Sequence, residues 1–297
     1  MARKQGRDIH GWLVVDKPAG LGSTEVVTRL RRALDARKAG HAGTLDPDAT
    51  GLLAVAFGEA TKTVPFIESA PKAYEFEIAW GTETTTDDAS GAVLAESAAR
   101  PAREAIEAAL PAFRGDILQV PPAVSAVKVA GARAYDLARA GEAPELAPRR
   151  LHVAELTLLE AAPDGARLRM VCGKGGYVRA IARDLGRALG CLGHVTALRR
   201  LWSGPFSLEG AVPPEDVAAP DRAALESRLL PLEAALAGLP RMRATEAGAA
   251  RILNGNPGEV VDHAGYGAQV WAVRDGRPLC VGRYLGGTVQ PERVFNL

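Results

Sequence analysis

The 297-residue chain has no apolar run approaching the eighteen or so residues that a membrane-spanning helix requires. Cysteine is scarce. Cys172, Cys191 and Cys280 are odd in number and show no C-x-x-C spacing, so neither a disulfide framework nor a cysteine-based zinc site is expected. Three reduced, partly buried thiols and no metal cluster are the expectation. The basic stretch at residues 1–8 is followed only by Gly11-Trp12-Leu13-Val14-Val15, too short for a signal-peptide core. A cytoplasmic chain is expected. Low-complexity segments and internal repeats are also missing. What remains is the composition of a soluble globular protein, 47% hydrophobic and 24% charged. The length suits one large domain and a small one.

Net charge is almost absent too, at +1, and by itself points to no polyanionic partner. The charges are nevertheless segregated. Residues 167–200 carry eight Lys and Arg against the single acid Asp184, and residues 3–38 carry nine against four. Balancing acids lie elsewhere, for example in residues 83–116. This pattern suggests a positive surface facing a polyanion, or basic side chains that merely solvate helix faces.

Hydrophobic periodicity gives the elements. Trp12-Leu13-Val14-Val15 reads as a buried strand, and Ser23 as the N-cap of a helix through Asp35 with core stripe Val26, Val27, Leu30 and Leu34. In residues 73–80, Tyr74, Phe76, Ile78 and Trp80 alternate with Glu75, Glu77 and Ala79, giving a strand with one aromatic face. A helix is predicted from Pro101 to about Phe113. Strands are predicted at residues 151–159, 167–172 and 194–202. A helix with the stripe Val178, Ile181, Ala182, Leu185 and Leu189 begins after the glycine-rich Gly173-Lys174-Gly175-Gly176 and stops at Gly190. Pro240 marks a domain boundary. Beyond it, a short helix from Thr245 and a hairpin at Asp275-Gly276 suggest a small β-rich appendage. Strands and helices do not alternate strictly, so the main domain reads as α+β with a mixed sheet.

The densest chemistry lies in Gly40-His41-Ala42-Gly43-Thr44-Leu45-Asp46-Pro47-Asp48-Ala49-Thr50-Gly51. Gly43 and Gly51 permit backbone angles that other residues resist, and Pro47 keeps Asp46 out of helical geometry. Such a loop presents one acid beside one histidine from a stiff frame. It also fits an ordinary Asx turn. Asp46 with Asp48 could alternatively ligate magnesium in a phosphohydrolase, although no further carboxylate or histidine set completes a metal site nearby. The glycine cluster around Lys174 fails the P-loop spacing but could hold a backbone phosphate at its helix start.

This loop, through Ala49-Thr50-Gly51-Leu52-Leu53, resembles the catalytic motif of the bacterial tRNA pseudouridine-55 synthase family, the TruB type. The resemblance runs along most of the chain. It includes Asp16-Lys17-Pro18 with Gly20, Lys72-Ala73-Tyr74, the loop with Thr84, Thr86, Asp88 and Gly91, and Pro121-Pro122. It continues through Ser125-Ala126-Val127-Lys128, Arg133-Ala134-Tyr135, Cys172-Gly173-Lys174-Gly175-Gly176-Tyr177-Val178-Arg179 and Leu198-Arg199-Arg200. Val124 replaces a usual aromatic residue and Gly176 a usual threonine. The C-terminal piece resembles a PUA-type RNA-binding domain, weakly matched.

The resemblance implies a pseudouridine synthase fold in residues 1–239, with a mixed, mostly antiparallel central sheet flanked by helices. It implies a small PUA-like domain in residues 240–297. It implies isomerisation of uridine 55 in the tRNA T-loop, without cofactor or metal, by a monomer. Asp46 is the implied catalytic carboxylate, attacking C1′ or assisting through C2′ deprotonation. Arg179 is its implied partner, opposing the proton uptake that desolvation favours. Tyr74 is implied to pack on the base, Tyr177 and Leu198 to line the pocket, and His41 to contact substrate near the everted nucleotide. A non-catalytic tRNA-binding or folding protein and the metal-dependent phosphohydrolase remain as alternatives.

Overall fold

A computed structural model describes residues 6–125 and 146–297, together with the backbone of the two-residue strands Lys128–Val129 and Ala132–Arg133. The Ala126-Val127 and Ala134-Tyr135 parts of the central motif lie outside the described residues, as do Arg3 and Lys4 of the basic N-terminus. The principal elements begin with β1 (Gly11–Lys17), α1 (Ser23–Ala33), β2 (Ala39–Ala42), β3 (Thr50–Phe57) and β4 (Lys72–Trp80). Next come β5 (Thr82–Thr84), β6 (Val93–Glu96), α2 (Arg103–Ala109), β7 (Gly115–Gln119), β8 (Arg149–Ala162) and β9 (Gly165–Cys172). Then follow α3 (Val178–Ala188), β10 (Gly193–Ser203), β11 (Arg241–Arg243), α4 (Glu246–Leu253) and β12 (Gly258–Glu259). The last three strands are β13 (Gln269–Arg274), β14 (Arg277–Tyr284) and β15 (Thr288–Val294). The fold is α+β, as expected, and it divides into two compact units.

The first unit joins residues 1–47 and 51–68 to residues 204–297. Within it β3 pairs antiparallel with both β1 and β2, and its residues 51–57 are all buried, as a strand covered on both faces must be. Residues 241–294 form a five-stranded sheet in the order β11-β13-β14-β15-β12. The hairpin between β13 and β14 turns at Asp275 and Gly276, both at positive φ (50° and 77°), the geometry that such two-residue turns demand. One face of this sheet has its own core with α4, including Met242, Ile252, Val270 and Leu279. Trp271, Val273, Val281 and Phe295 instead belong to a core shared with Trp12, Leu52, Phe206, Leu232 and Leu236.

The second unit comprises residues 48–50 and 69–203. Its strands run antiparallel in the order β7-β8-β9-β4-β10. The aromatic face predicted for β4 is buried: Tyr74, Phe76, Ile78 and Trp80 pack with Leu168 and Met170 of β9 and with Val178, Ile181 and Leu185 of α3. Each large apolar side chain so buried stabilises by roughly 1.5–3 kcal/mol. That burial, more than intrinsic propensity, fixes the eleven-residue α3 against the sheet.

Two local expectations are corrected. The N-cap of α1 is Gly22, because the Ser23 hydroxyl is engaged elsewhere, and the helix ends at Ala33, before Asp35 at φ +51°. The helix predicted to reach Phe113 stops at Ala109 and tightens into a 3₁₀ turn over Leu110–Phe113, where Pro111 cannot continue the α-helical hydrogen bonding.

Candidate active site

The loop carrying His41 and Asp46 lies in the first unit, where the chain on either side of Asp46 is clamped. The Ser23 hydroxyl donates to the Leu45 carbonyl at 2.8 Å and accepts from the Leu45 amide at 2.9 Å. The Pro47 carbonyl accepts from Gly20 N–H at 3.0 Å and from the Lys17 ammonium at 2.8 Å. Lys17 is fully buried, and its Nζ also donates to the carbonyls of Pro18 and Leu21, each at 2.8 Å. A buried ammonium needs such a cage, since an unsatisfied charge there costs several kcal/mol. Gly43 and Gly51 sit at φ +79° and +92°, which explains both glycines. Within this frame Leu45 and Ala49 point inward, Asp46 is half-buried and Asp48 is exposed. Asp48 is a turn residue. Among the described residues no three His, Cys, Asp or Glu side chains cluster as a metal site would require.

Tyr74, Tyr177, Arg179 and Leu198 lie in the second unit. In the β4–β10 register Leu198 stands opposite Phe76, two residues from Tyr74, and it packs on the same apolar cluster as Tyr74. Tyr74 is 8% exposed, so its ring is mostly core. Thr50 at the loop's end donates to the Leu198 carbonyl at 3.4 Å. Tyr177 caps the start of α3, and Gln119 fixes its backbone from both sides. Gln119 Nε2 donates to the Tyr177 carbonyl at 3.1 Å, and the Tyr177 amide donates to Gln119 Oε1 at 2.9 Å. Gln119, Ser23 and Lys17 are therefore the scaffolding residues that sequence patterns gave no reason to place beside the loop or Tyr177.

Arg179 does not face solvent. It is 6% exposed, with Nη1 donating to the Thr86 carbonyl at 2.8 Å and lying 3.4 Å from Asp88 Oδ2. Its Nη2 donates to the Val124 carbonyl at 3.0 Å. The departure at residue 124 thus meets Arg179 through a backbone atom that any residue supplies. Further along α3 the pattern repeats. Arg183 pairs with Asp87 at 2.8 Å, and the Arg187 Nε donates to Glu83 at 2.8 Å. Hydrogen bonding from Arg187 holds the Glu83 carboxyl below its ordinary value. Burial pushes the Asp87 carboxyl up, opposed by Arg183 and Arg179.

This ladder corrects the reading of residues 167–200 as one positive surface. Arg179, Arg183 and Arg200 are buried, and Arg167 and Arg169 stand opposite Glu77 and Glu75 on β4. A buried guanidinium must be paired, and within the run Arg179, Arg183 and Arg187 are matched by Asp88, Asp87 and Glu83. Cations exposed outside that run include Arg31, Arg32 and Lys38 in one unit and Arg149 and Arg150 in the other, while within it Arg167, Lys174 and Arg187 are exposed. Cys172, Cys191 and Cys280 are free and buried, as expected.

The family description "TruB family pseudouridylate synthase (N terminal domain)" matches residues 31–178, and "tRNA pseudouridylate synthase B C-terminal domain" matches residues 179–237. A tRNA pseudouridine synthase B of Paracoccus denitrificans (strain Pd 1222) is 67% identical over 297 residues, all of both chains. Its counterpart in Dinoroseobacter shibae (strain DSM 16493 / NCIMB 14021 / DFL 12) is 58% identical over 99% of this chain and 98% of its own. Among solved structures, a chain of a Cbf5–Nop10–Gar1 complex superposes with a TM-score of 0.75 at 26% identity, covering 96% of this chain and 85% of that one.

Proposed function

The chain belongs to the TruB family of pseudouridylate synthases, and on that premise we propose that it converts uridine 55 in the T-loop of tRNA to pseudouridine with Asp46 as the catalytic carboxylate. The product is an isomer of the substrate. The N1–C1′ bond of uridine breaks, the uracil turns, and a C5–C1′ bond forms, with the C5 proton lost to solvent and N1 left protonated. Asp46 serves as nucleophile at C1′ or as base at C2′. Arg179 is assigned as the partner of Asp46, as the family resemblance implies. Tyr74, Tyr177 and Leu198 hold the uracil between apolar and aromatic faces while it turns, and His41 contacts the everted nucleotide. Everting a T-loop uridine costs a few kcal/mol, which binding to the rest of the RNA offsets.

The observation that carries this reading is the clamp on the loop, met in a chain whose full-length relatives are tRNA pseudouridine synthases. Ser23, Lys17 and Gly20 hold Leu45 and Pro47, so the backbone around Asp46 has little freedom. Tight placement of a reacting group is where much of an enzyme's rate advantage arises. The same reading assigns residues 1–239 to the pseudouridine synthase domain and residues 240–297 to a PUA-like RNA-binding domain. The enzyme acts as a cytoplasmic monomer that grips the T-arm and requires no cofactor. Recognition of a folded RNA by shape and phosphate makes affinity fall with salt.

The test is tritium release from T-loop RNA labelled at uridine C5. Wild-type protein is expected to release tritium to water, and Asp46→Asn to release none while still binding the RNA. Release by Asp46→Asn at the wild-type rate sinks the assignment.

A further inference from the structure

Arg179 and Arg183 lie one helical turn apart on α3, and each guanidinium bridges the same two segments. Arg179 donates to Thr86 of the acidic loop and to Val124; Arg183 contacts Asp87 of that loop and donates to the Val120 carbonyl at 2.8 Å. Arg183 Nε also donates to Asp184 at 2.8 Å, so each of its three nitrogens donates a hydrogen bond. Both Arg183 and Asp87 are buried, at 7% and 6% exposure. Asp87 sits at φ +59°, a left-handed conformation that a non-glycine residue holds only when its surroundings impose it. Its amide donates to the Thr84 carbonyl at 3.2 Å and its carbonyl accepts from Val195 at 3.1 Å. The neighbours of Asp87 in the chain both touch Arg179, through the Thr86 carbonyl and the Asp88 carboxylate. Asp88 in turn is fixed through Oδ1 by the Thr86 hydroxyl at 2.6 Å and the Ser90 amide at 3.0 Å.

We propose that Asp87 and Arg183 form a positioning pair that sets where the Arg179 guanidinium lies. Tethering Asp87 to Arg183 holds the left-handed turn, and the turn aims the Thr86 carbonyl and the Asp88 carboxylate at Arg179. Releasing the tether lets the turn relax, and Arg179 moves with the atoms it is bonded to. The inference rests on the reading above that Arg179 belongs to the catalytic site. A displacement on the order of 1 Å at such a group can cost about 100-fold in rate. The Arg187–Glu83 pair, one turn further along α3 and half open to solvent, is the same chemistry without a bond to the Thr86–Asp88 turn.

The experiment measures steady-state tritium release from C5-labelled T-loop RNA, RNA retention on filters and urea melts of the full chain. The variants are Asp87→Gly, Arg183→Gln, Arg187→Gln and Arg179→Gln, with Asp87→Gly also placed in the Arg179→Gln background. Glycine tolerates the left-handed turn, so Asp87→Gly removes the tether and keeps the fold. In Asp87→Gly and Arg183→Gln, kcat is expected to fall about 10- to 100-fold while KM and RNA affinity stay within about threefold. Arg187→Gln is expected to keep kcat. In the Arg179→Gln background Asp87→Gly is expected to lower kcat no further, the signature of two residues acting through one. A folded Asp87→Gly variant with wild-type kcat overturns the proposal, as does Arg187→Gln losing as much rate as Arg183→Gln. Full-rate release by Arg179→Gln, with active wild type, overturns the positioning role alone. A wild-type chain that releases no tritium overturns the functional reading and this proposal with it.

Discussion

Gly176 shows how one position records its neighbour. A Cβ placed there would lie 2.6 Å from Cys172 Sγ and 3.2 and 3.3 Å from the two Leu151 methyl carbons. Cys172 and Leu151 are themselves buried, at 1% and 3% exposure, so neither has room to retreat. The absence of a side chain at 176 is therefore a packing requirement of this core. Gly176→Ala is expected to cost about 1–3 kcal/mol, the usual range for an overpacked site. Gly176→Thr is expected to cost more, and shortening the neighbour in Cys172→Ala/Gly176→Ala to recover most of the loss. Urea melts of the three variants decide it, and a Gly176→Ala midpoint equal to wild type refutes it. Cys172 itself is inert: burial pushes its thiol up to about 11, so at neutral pH it fills space and carries no thiolate.

At the scale of elements, α3 shows what a sequence can and cannot reveal. Its apolar stripe and its stop at Gly190 were legible, because period and glycine act locally. The aromatic alternation of β4 and the Asp275-Gly276 hairpin were legible for the same reason. The partners of its arginines were not. Glu83, Asp87 and Asp88 lie some ninety to one hundred residues away in the chain, and charge in a sequence has no direction until a fold supplies one. The same holds for Lys17, Ser23 and Gln119, whose bonds to the loop and to Tyr177 span 22 to 58 residues. Of the candidate site, the loop glycines and the acid could be read directly; their scaffolding could not. The ladder also gives a pH prediction. The Glu83 carboxyl lies below its ordinary value in the folded chain, so its pairing with Arg187 stabilises above that ordinary value and is lost as pH falls through the folded one. Arg187 is half-exposed, which screens the pair and keeps its worth below about 1 kcal/mol. Arg187→Gln is therefore expected to melt slightly earlier than wild type at neutral pH, with the gap closing as acidification takes the pH below the ordinary carboxylate range. A gap that widens on acidification would contradict the sign.

At the scale of the whole molecule, one compact unit is built from segments far apart in the chain. Residues 204–297, on both sides of Pro240, are packed with residues 1–47 and 51–68 in one compact unit. The reason is the outer face of the C-terminal sheet. Trp271, Val273, Val281 and Phe295 share one core with Trp12, Phe206, Leu232 and Leu236, so removing the sheet would expose a contiguous apolar surface. Polar ties reinforce the junction. Lys62 Nζ donates to the Val294 carbonyl at 2.7 Å, and the Asn296 amide donates to Glu59 Oε2 at 2.8 Å. Four large side chains at roughly 1.5–3 kcal/mol each amount to much of the 5–15 kcal/mol by which a native protein is stable. The piece of chain proposed to bind RNA is thus also a structural wall of this unit. Truncation after residue 239 is accordingly expected to give an aggregating or strongly destabilised product rather than a soluble catalytic domain with weaker RNA affinity. Size-exclusion chromatography and a thermal melt of residues 1–239 distinguish the two. A monomeric fragment melting within a few degrees of the full chain would mean that the shared core contributes little, and that the boundary at Pro240 divides stability as well as sequence.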